Sequence, residues 1–212
     1  MHTYEHLGWR TPFVILTVSV HTALALGTGA LALLLDPNDL LAALLLPGLA
    51  ATIGAFVLSA VAVCLWTHRA CANGHALGVA GDWVSPTMSP AAAVGSYFIP
   101  FANLVRPYHA MREIDSATLG EPSTDPTLGV WWGTWIVGNI LANISFRMGQ
   151  PGLGFVADLV HLVTAVTLVL TVRRMEAAQR RRDEALRLAK APSTATFRDA
   201  PERKLAGSSA AG

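Results

Sequence analysis

The sequence predicts an all-α integral membrane protein with four transmembrane helices and a proline-broken, re-entrant or interfacial helical segment. Four apolar stretches carry almost no charge: residues 12–35, 43–66, 128–146 and 152–172. A helix rising about 1.5 Å per residue needs about 20 apolar residues to cover a hydrocarbon core about 30 Å thick. Composition agrees: only 14% of the 212 residues are charged and 52% are hydrophobic, against about 25% charged in soluble domains. Mean hydropathy is +0.44.

The first stretch follows a single arginine, Arg10. It is longer than the 7–15-residue apolar core of a cleaved signal peptide, so it is expected to remain as a span. The second ends near Trp66 and runs into His68 and Arg69. The next apolar run, 91–105, is too short to cross and contains Pro100. It is therefore read as part of a re-entrant or interfacial segment over 90–118. Ser89 followed by Pro90 suits a helix start, and Pro100 and Pro107 each remove a backbone donor. Asn103 and Arg106 are placed to cap the broken ends or to meet a lipid headgroup. The third and fourth stretches complete a transmembrane domain over 1–174. A basic helix follows over 175–190, and then an Ala-, Pro-, Ser- and Gly-rich tail over 191–212, which cannot bury enough to order itself.

Four crossings put both termini on one side. Arg10, Arg69, Arg106, Arg112 and the basic run 173–190 then share the cytoplasm, whereas the loop 36–39 outside has two acids and no base. That matches the excess of Lys and Arg in cytoplasmic loops, with Arg147 the exception. The expected location is the cytoplasmic (plasma) membrane, crossed several times with both termini in the cytoplasm. Trp66, Trp131, Trp132 and Trp135 fall at positions where an aromatic belt is expected. Small-residue steps at Gly129/Gly133, Gly138/Ala142 and Ala50/Gly54 predict close helix contacts.

Polar groups inside spans are the first candidates for function. His21, Asn139 and His161 come out about 14–15 Å deep from the helical rise, and Asn143 and Asp158 about 9–10 Å from the outer surface. Asn139/Asn143 are spaced i,i+4 and Asp158/His161 i,i+3, so each pair shares a helix face. A buried cluster of His21, Asn139, Asn143, Asp158 and His161 is the expectation. Helix packing accounts for such a cluster most simply, because interhelical hydrogen bonds here are worth about 0.6–2 kcal/mol. Cys64, His68, Cys71 and His75 form one stripe, but it spreads over about 16 Å of helix, and zinc holds its ligands within about 2.3 Å. No metal and no cofactor is expected. The two cysteines are read as reduced thiols.

One group of residues carries a resemblance. Trp66, Arg69, Ala70, Asn73, Ala76 and Leu77 are followed by Ser89 and Pro90. Then come Phe98-Ile99-Pro100-Phe101, Asn103, Leu104, Arg106, Pro107, Tyr108, Met111, Arg112 and Glu113, and finally the Trp131-Trp132 pair. Over about 66–135 the chain resembles the domain-of-unknown-function 4328 family, multi-pass bacterial membrane proteins. It departs from the family pattern at His109, where glutamine is usual, and at Asp115, where tryptophan is frequent. The resemblance implies a shared membrane fold and bacterial origin, and no activity.

The sequence thus points to a non-enzymatic membrane scaffold or interaction protein. Its cytoplasmic face, marked by Trp66, Arg69, Asn73, Pro90, Pro100, Asn103, Arg106, Pro107, Tyr108, Arg112 and Glu113, would contact anionic lipid headgroups or a protein partner. The alternative is a small-ion or small-solute transporter using the intramembrane His/Asp cluster. Zincin, nucleophile-elbow and nucleotide-loop motifs are absent from the sequence, as are paired catalytic carboxylates. No basic patch interleaved with aromatics speaks for nucleic acid.

Overall fold

The computed structural model describes residues 3–35, 43–81 and 85–190. The acidic loop 36–39 and the tail 191–212 lie outside the described residues. The described elements are helical: α1 (Arg10–Leu34), α2 (Leu45–Gly81), α3 (Pro90–Gly95), a 3-10 turn (Ala102–Leu104), α4 (Arg106–Leu119), α5 (Pro126–Met148) and α6 (Pro151–Lys190).

Three helices, α1, α2 and α6, are long and apolar enough to cross a membrane. Their outward faces carry large apolar side chains such as Leu16, Leu49, Ile53, Leu58, Val166 and Leu170, a surface that lipid tolerates and water does not. Helix α5 has 23 residues, but Trp131, Trp132, Trp135, Asn139 and Asn143 dilute its hydropathy. Hydroxyls on these helices turn back to the carbonyl one turn earlier. Thr22 donates to Val18 (2.8 Å), Ser59 to Ala55 (2.8 Å) and Thr167 to Val163 (2.8 Å), so each polar group is satisfied without leaving its own helix.

The long helices pack in the order α2, α1, α6, α5, antiparallel from one to the next. Close approaches pin the register. Gly138 on α5 lies under the His161 ring of α6, where a Cβ would stand 2.5 Å from Nε2. Gly29 on α1 lies against the Asp158 carboxylate, and Gly154 on α6 against Ser145. Expectations about the other small residues need correcting. A Cβ added at Gly54, Gly129 or Gly133 meets nothing within 4 Å, so these glycines face outward rather than into a helix contact.

The helices differ in reach. At about 1.5 Å per residue, α2 with 37 residues and α6 with 40 are about 55–60 Å long. That exceeds a hydrocarbon core of about 30 Å by nearly twofold. Their surplus lies at the same end of the bundle, where α3, α4 and the segment 3–9 pack around it. This cap holds much of the core: Leu7, Trp66, Cys71, Met111, Ile114, Val172 and Met175 are buried together. The tryptophans belong to the interior as well. Trp66 is 1% exposed, Trp131 3% and Trp132 6%, which replaces the expected lipid-facing belt with packed side chains. Trp66 donates its indole N–H to Thr11 Oγ1 (3.1 Å), and Trp132 stacks on Trp135 at 4.6 Å.

Adding one methyl group distinguishes the two kinds of glycine. Gly138→Ala forces the His161 ring aside and should cost about 1–3 kcal/mol, whereas Gly133→Ala should leave stability unchanged or slightly raised. Thermal unfolding of the detergent-solubilised variants measures both. Equal effects would show that the α5–α6 contact is not as tight as the structure has it.

Candidate functional site

The residues singled out by the sequence fall into two places: the cap, and a cavity between the long helices. The cap is organised by Asn73, whose side chain is fully buried. It reaches that position because the buried stripe of α2 (Ala55, Ser59, Ala62, Trp66, Ala70, Asn73, Leu77) keeps helical spacing beyond the length of a bilayer. Its Oδ1 accepts from the backbone N–H of Glu5 (3.1 Å) and from Arg69 Nε (3.0 Å). Its Nδ2 donates to the Glu5 carbonyl (2.8 Å) and to Gln179 Oε1 (3.0 Å). Gln179 in turn donates to the Ala70 carbonyl (3.1 Å) and to Thr118 Oγ1 (3.3 Å). One amide therefore joins the N-terminal segment to α2 and α6, and Gln179 adds α4. Arg69 closes the outer side with an ion pair to Glu5 (3.0 Å) and a bond to the Thr3 carbonyl.

A second set of contacts holds α4 and the start of α5. Glu113 accepts from Thr87 N (2.9 Å) and Thr87 Oγ1 (2.8 Å), tying α4 to the segment before α3. Asp115 is 1% exposed; Arg174 pairs with it at 2.8 Å and pairs also with Asp125. Asp125 is the N-cap of α5 and accepts from Thr127 N (2.8 Å). Burial pushes the Asp125 carboxyl upward, but the two Thr127 hydrogen bonds and the Arg174 charge outweigh it and hold its pKa below the ordinary value of 3.8.

The proline-broken segment behaves as its prolines require. Ser89 caps α3 by accepting from Ala92 N (3.2 Å), with Pro90 buried at the first helical position. Pro107 is buried at the start of α4, and Pro100 is exposed in the turn between. Neither Asn103 nor Arg106 caps a helix end, contrary to expectation: the 3-10 turn and α4 start without a side-chain cap. The Trp132 indole acts at the other end of the 3-10 turn, donating to the Leu104 carbonyl (2.8 Å). Arg106 and Arg112 are exposed, and Tyr108 is half-buried with its ring edge against His109.

In the bundle, a cavity of about 460 Å³ is lined by His21, Asn139, Asp158 and His161. Four members of the expected cluster thus line one space, but the expected burial is not met: His21, Asp158 and His161 are half-buried and Asn139 is exposed. His21 Nδ1 lies 3.3 Å from the Thr52 carbonyl, and Asn139 Nδ2 donates to the Trp135 carbonyl (2.7 Å). Asn143 is not among the residues that line this cavity; it is exposed and accepts from Arg147 Nε (2.9 Å). The Cys64–His75 stripe forms one helical line on α2, with Cys71 and His75 both directed at the Met88 carbonyl (3.5 and 3.0 Å). Among the described residues, no three His, Cys, Asp or Glu side chains are grouped to hold a metal.

Sequence reasoning missed Gln179, Arg174, Asp115, Asp125 and Thr87. Gln179 had a legible signal. The buried positions of α6 run Thr164, Leu168, Thr171/Val172, Met175, Ala178/Gln179, so the seam of the bundle continues through the arginine-rich run with Gln179 on its inner side.

The fold and these contacts define a class: an all-helical protein with helices suited to a membrane and a polar, internally bonded cap at one end. The chain belongs to the family described as Domain of unknown function (DUF4328), whose profile matches residues 32–178. That interval extends the resemblance beyond the central motif in both directions. No curated protein and no solved structure matches the chain.

Removing the central amide should be costly. Asn73→Leu leaves the Glu5 backbone, Arg69 and Gln179 without their shared partner, and a loss of about 2–4 kcal/mol is expected. Loss of protease protection over 3–9, together with a lowered unfolding temperature, would report it. The Asp125 cap makes a pH-dependent contribution. With a depressed native pKa, its stabilisation is complete above the ordinary value and lost as pH falls through the native one. Asp125→Asn should therefore be less stable than wild type near neutrality, by a margin that shrinks as pH falls below the ordinary value of 3.8. A constant difference across a pH series of unfolding midpoints would contradict this.

Proposed function

We propose that the protein is a non-enzymatic scaffold of the bacterial cytoplasmic membrane, with an interfacial platform that engages anionic lipid headgroups. In this reading α5 is a fourth span. Its 23 residues reach about 34 Å, it lies antiparallel to α6, and Trp132 and Asn139 donate to the carbonyls of Leu104 and Trp135. The cap then lies in the cytoplasm. Among the described residues, the basic side chains gather at that end apart from Arg147, in keeping with the excess of Lys and Arg on cytoplasmic sides.

The observation that carries the platform is Phe101. Its backbone has φ 61°, a left-handed conformation that suits glycine and strains a bulky side chain. Yet a phenylalanine stands there, 86% exposed. A strained position that presents a large apolar ring outward makes sense where lipid receives the ring. Its neighbours support this, since Phe98, Ile99, Leu104 and Val105 are also exposed, and Arg106 and Arg112 follow directly. Exposed apolar side chains followed in sequence by arginines suit a segment lying at a headgroup boundary, where each base adds about 1 kcal/mol near an anionic leaflet. A bound protein in place of lipid is the alternative outcome of the test.

Two measurements examine the platform. A fluorophore at position 101 of the chain in nanodiscs should be quenched by brominated lipids and protected from aqueous iodide; the opposite pattern would remove lipid from the reading. Phe101→Gly should stabilise the detergent-solubilised protein by about 1 kcal/mol through relief of strain, while weakening the dependence of its stability on anionic lipid.

A further inference from the structure

The cavity between the long helices has a chemistry that packing does not explain. Its walls are largely apolar and aromatic. Trp131, Trp132, Trp135 and Tyr97 line it towards the cap, with Trp132 and Trp135 stacked at 4.6 Å and Tyr97 edge-on to Trp132 at 6.3 Å. About 15 Å further along α6, by its helical rise from Leu168, the wall carries the Asp158 carboxylate with His161 and His21 close by. Among the described residues, Asp158 makes no hydrogen bond and no ion pair, and its oxygen rests against the backbone of Gly29. No lysine or arginine among the described residues lines the space.

A carboxylate within an apolar bundle is costly unless something positive or a proton meets it. His21 and His161 line the same space, and neither supplies a hydrogen bond to the carboxylate. Tryptophan faces attract cations as well. The volume of about 460 Å³ lies within the range of small-molecule sites, about 300–1,000 Å³.

We propose that this cavity binds a lipophilic monovalent cation, an amine or onium with an aromatic or alkyl body. Its charge is held at Asp158 and its apolar part lies against Trp131, Trp132 and Trp135. The site is independent of the interfacial platform, so either can fail without the other. Gly29 and Gly138 give the Asp158 carboxylate and the His161 ring their room, because a side chain at either would collide with them. Ala60 and Ala142 on the facing helices leave the room that larger residues would fill.

Radiolabelled tetraphenylphosphonium is a suitable probe, measured by equilibrium binding to the full chain in nanodiscs with empty nanodiscs subtracted. Saturable binding of one cation per chain is expected. Asp158→Asn should weaken it at least about tenfold, and Asp158→Glu should restore most of it. Tetraphenylborate, of the same shape and opposite charge, should show no saturable binding. Ala60→Leu, which keeps the carboxylate and fills the cavity, should also weaken binding, and it decides the matter if Asp158→Asn fails to fold. Unchanged binding in Asp158→Asn or Ala60→Leu, or saturable uptake of the borate, would overturn the proposal. Phe101→Gly should bind the cation as wild type does.

Discussion

Two helices outlast any bilayer, and the protein must hold them together where water competes for every polar contact. Asn73 meets that constraint. Its side-chain amide has one acceptor and two donors in a fixed plane, and four groups from three parts of the chain use them. A leucine seam would give burial without orientation. An amide gives both, because a rotated or shifted α6 would leave Gln179 and Asn73 unpaired inside the cap, at about 1–3 kcal/mol for each orphaned group. The register of α6 against α2 is thereby fixed in the cap, and the helices below inherit it. That register places Asp158 against Gly29 and His161 over Gly138.

Most of the arrangement could be read in the sequence, for reasons that differ from residue to residue. Helix positions followed from apolar run length, and Ser89-Pro90 marked the start of α3 because cap chemistry is local. The family motif was visible, but its meaning was not. Arg69, Asn73 and Glu113 suggested a surface that recognises something, and they instead bond to the chain itself. Nothing local could show that, because Glu5 and Gln179 lie 68 and 106 residues from Asn73. Position 101 was equally opaque. Sequence places a phenylalanine beside a proline there, and only the backbone angle shows that the residue is held in a conformation suited to glycine.

The tryptophans taught a similar lesson. Their sequence positions matched an aromatic belt, and three of them are buried. For Trp132 the broken segment between α3 and α4 explains why. A chain interrupted by Pro100 and Pro107 leaves carbonyls exposed, and an indole is a donor that can reach one while its rings stay in apolar surroundings. Trp132 does this at Leu104 and presents its face to the cavity at the same time. One side chain thus serves both the break in the chain and the aromatic wall of the cavity.

The extent of the family match fits this division of labour. It covers 32–178, so both long-range partners of Asn73 fall outside it: Gln179 directly past its end, and Glu5 well before its start. At position 5 the groups used by Asn73 are the backbone N–H and carbonyl, which every residue except proline supplies. The N-terminal segment can therefore vary in side chain and still close the cap. At position 179 the partner is a side chain, and only an amide both accepts from Asn73 and donates to Ala70 and Thr118. The two ends of the network place unequal demands on sequence. A chain with another residue at 5 can keep this cap, whereas one without an amide at 179 must join α6 to α2 by different contacts.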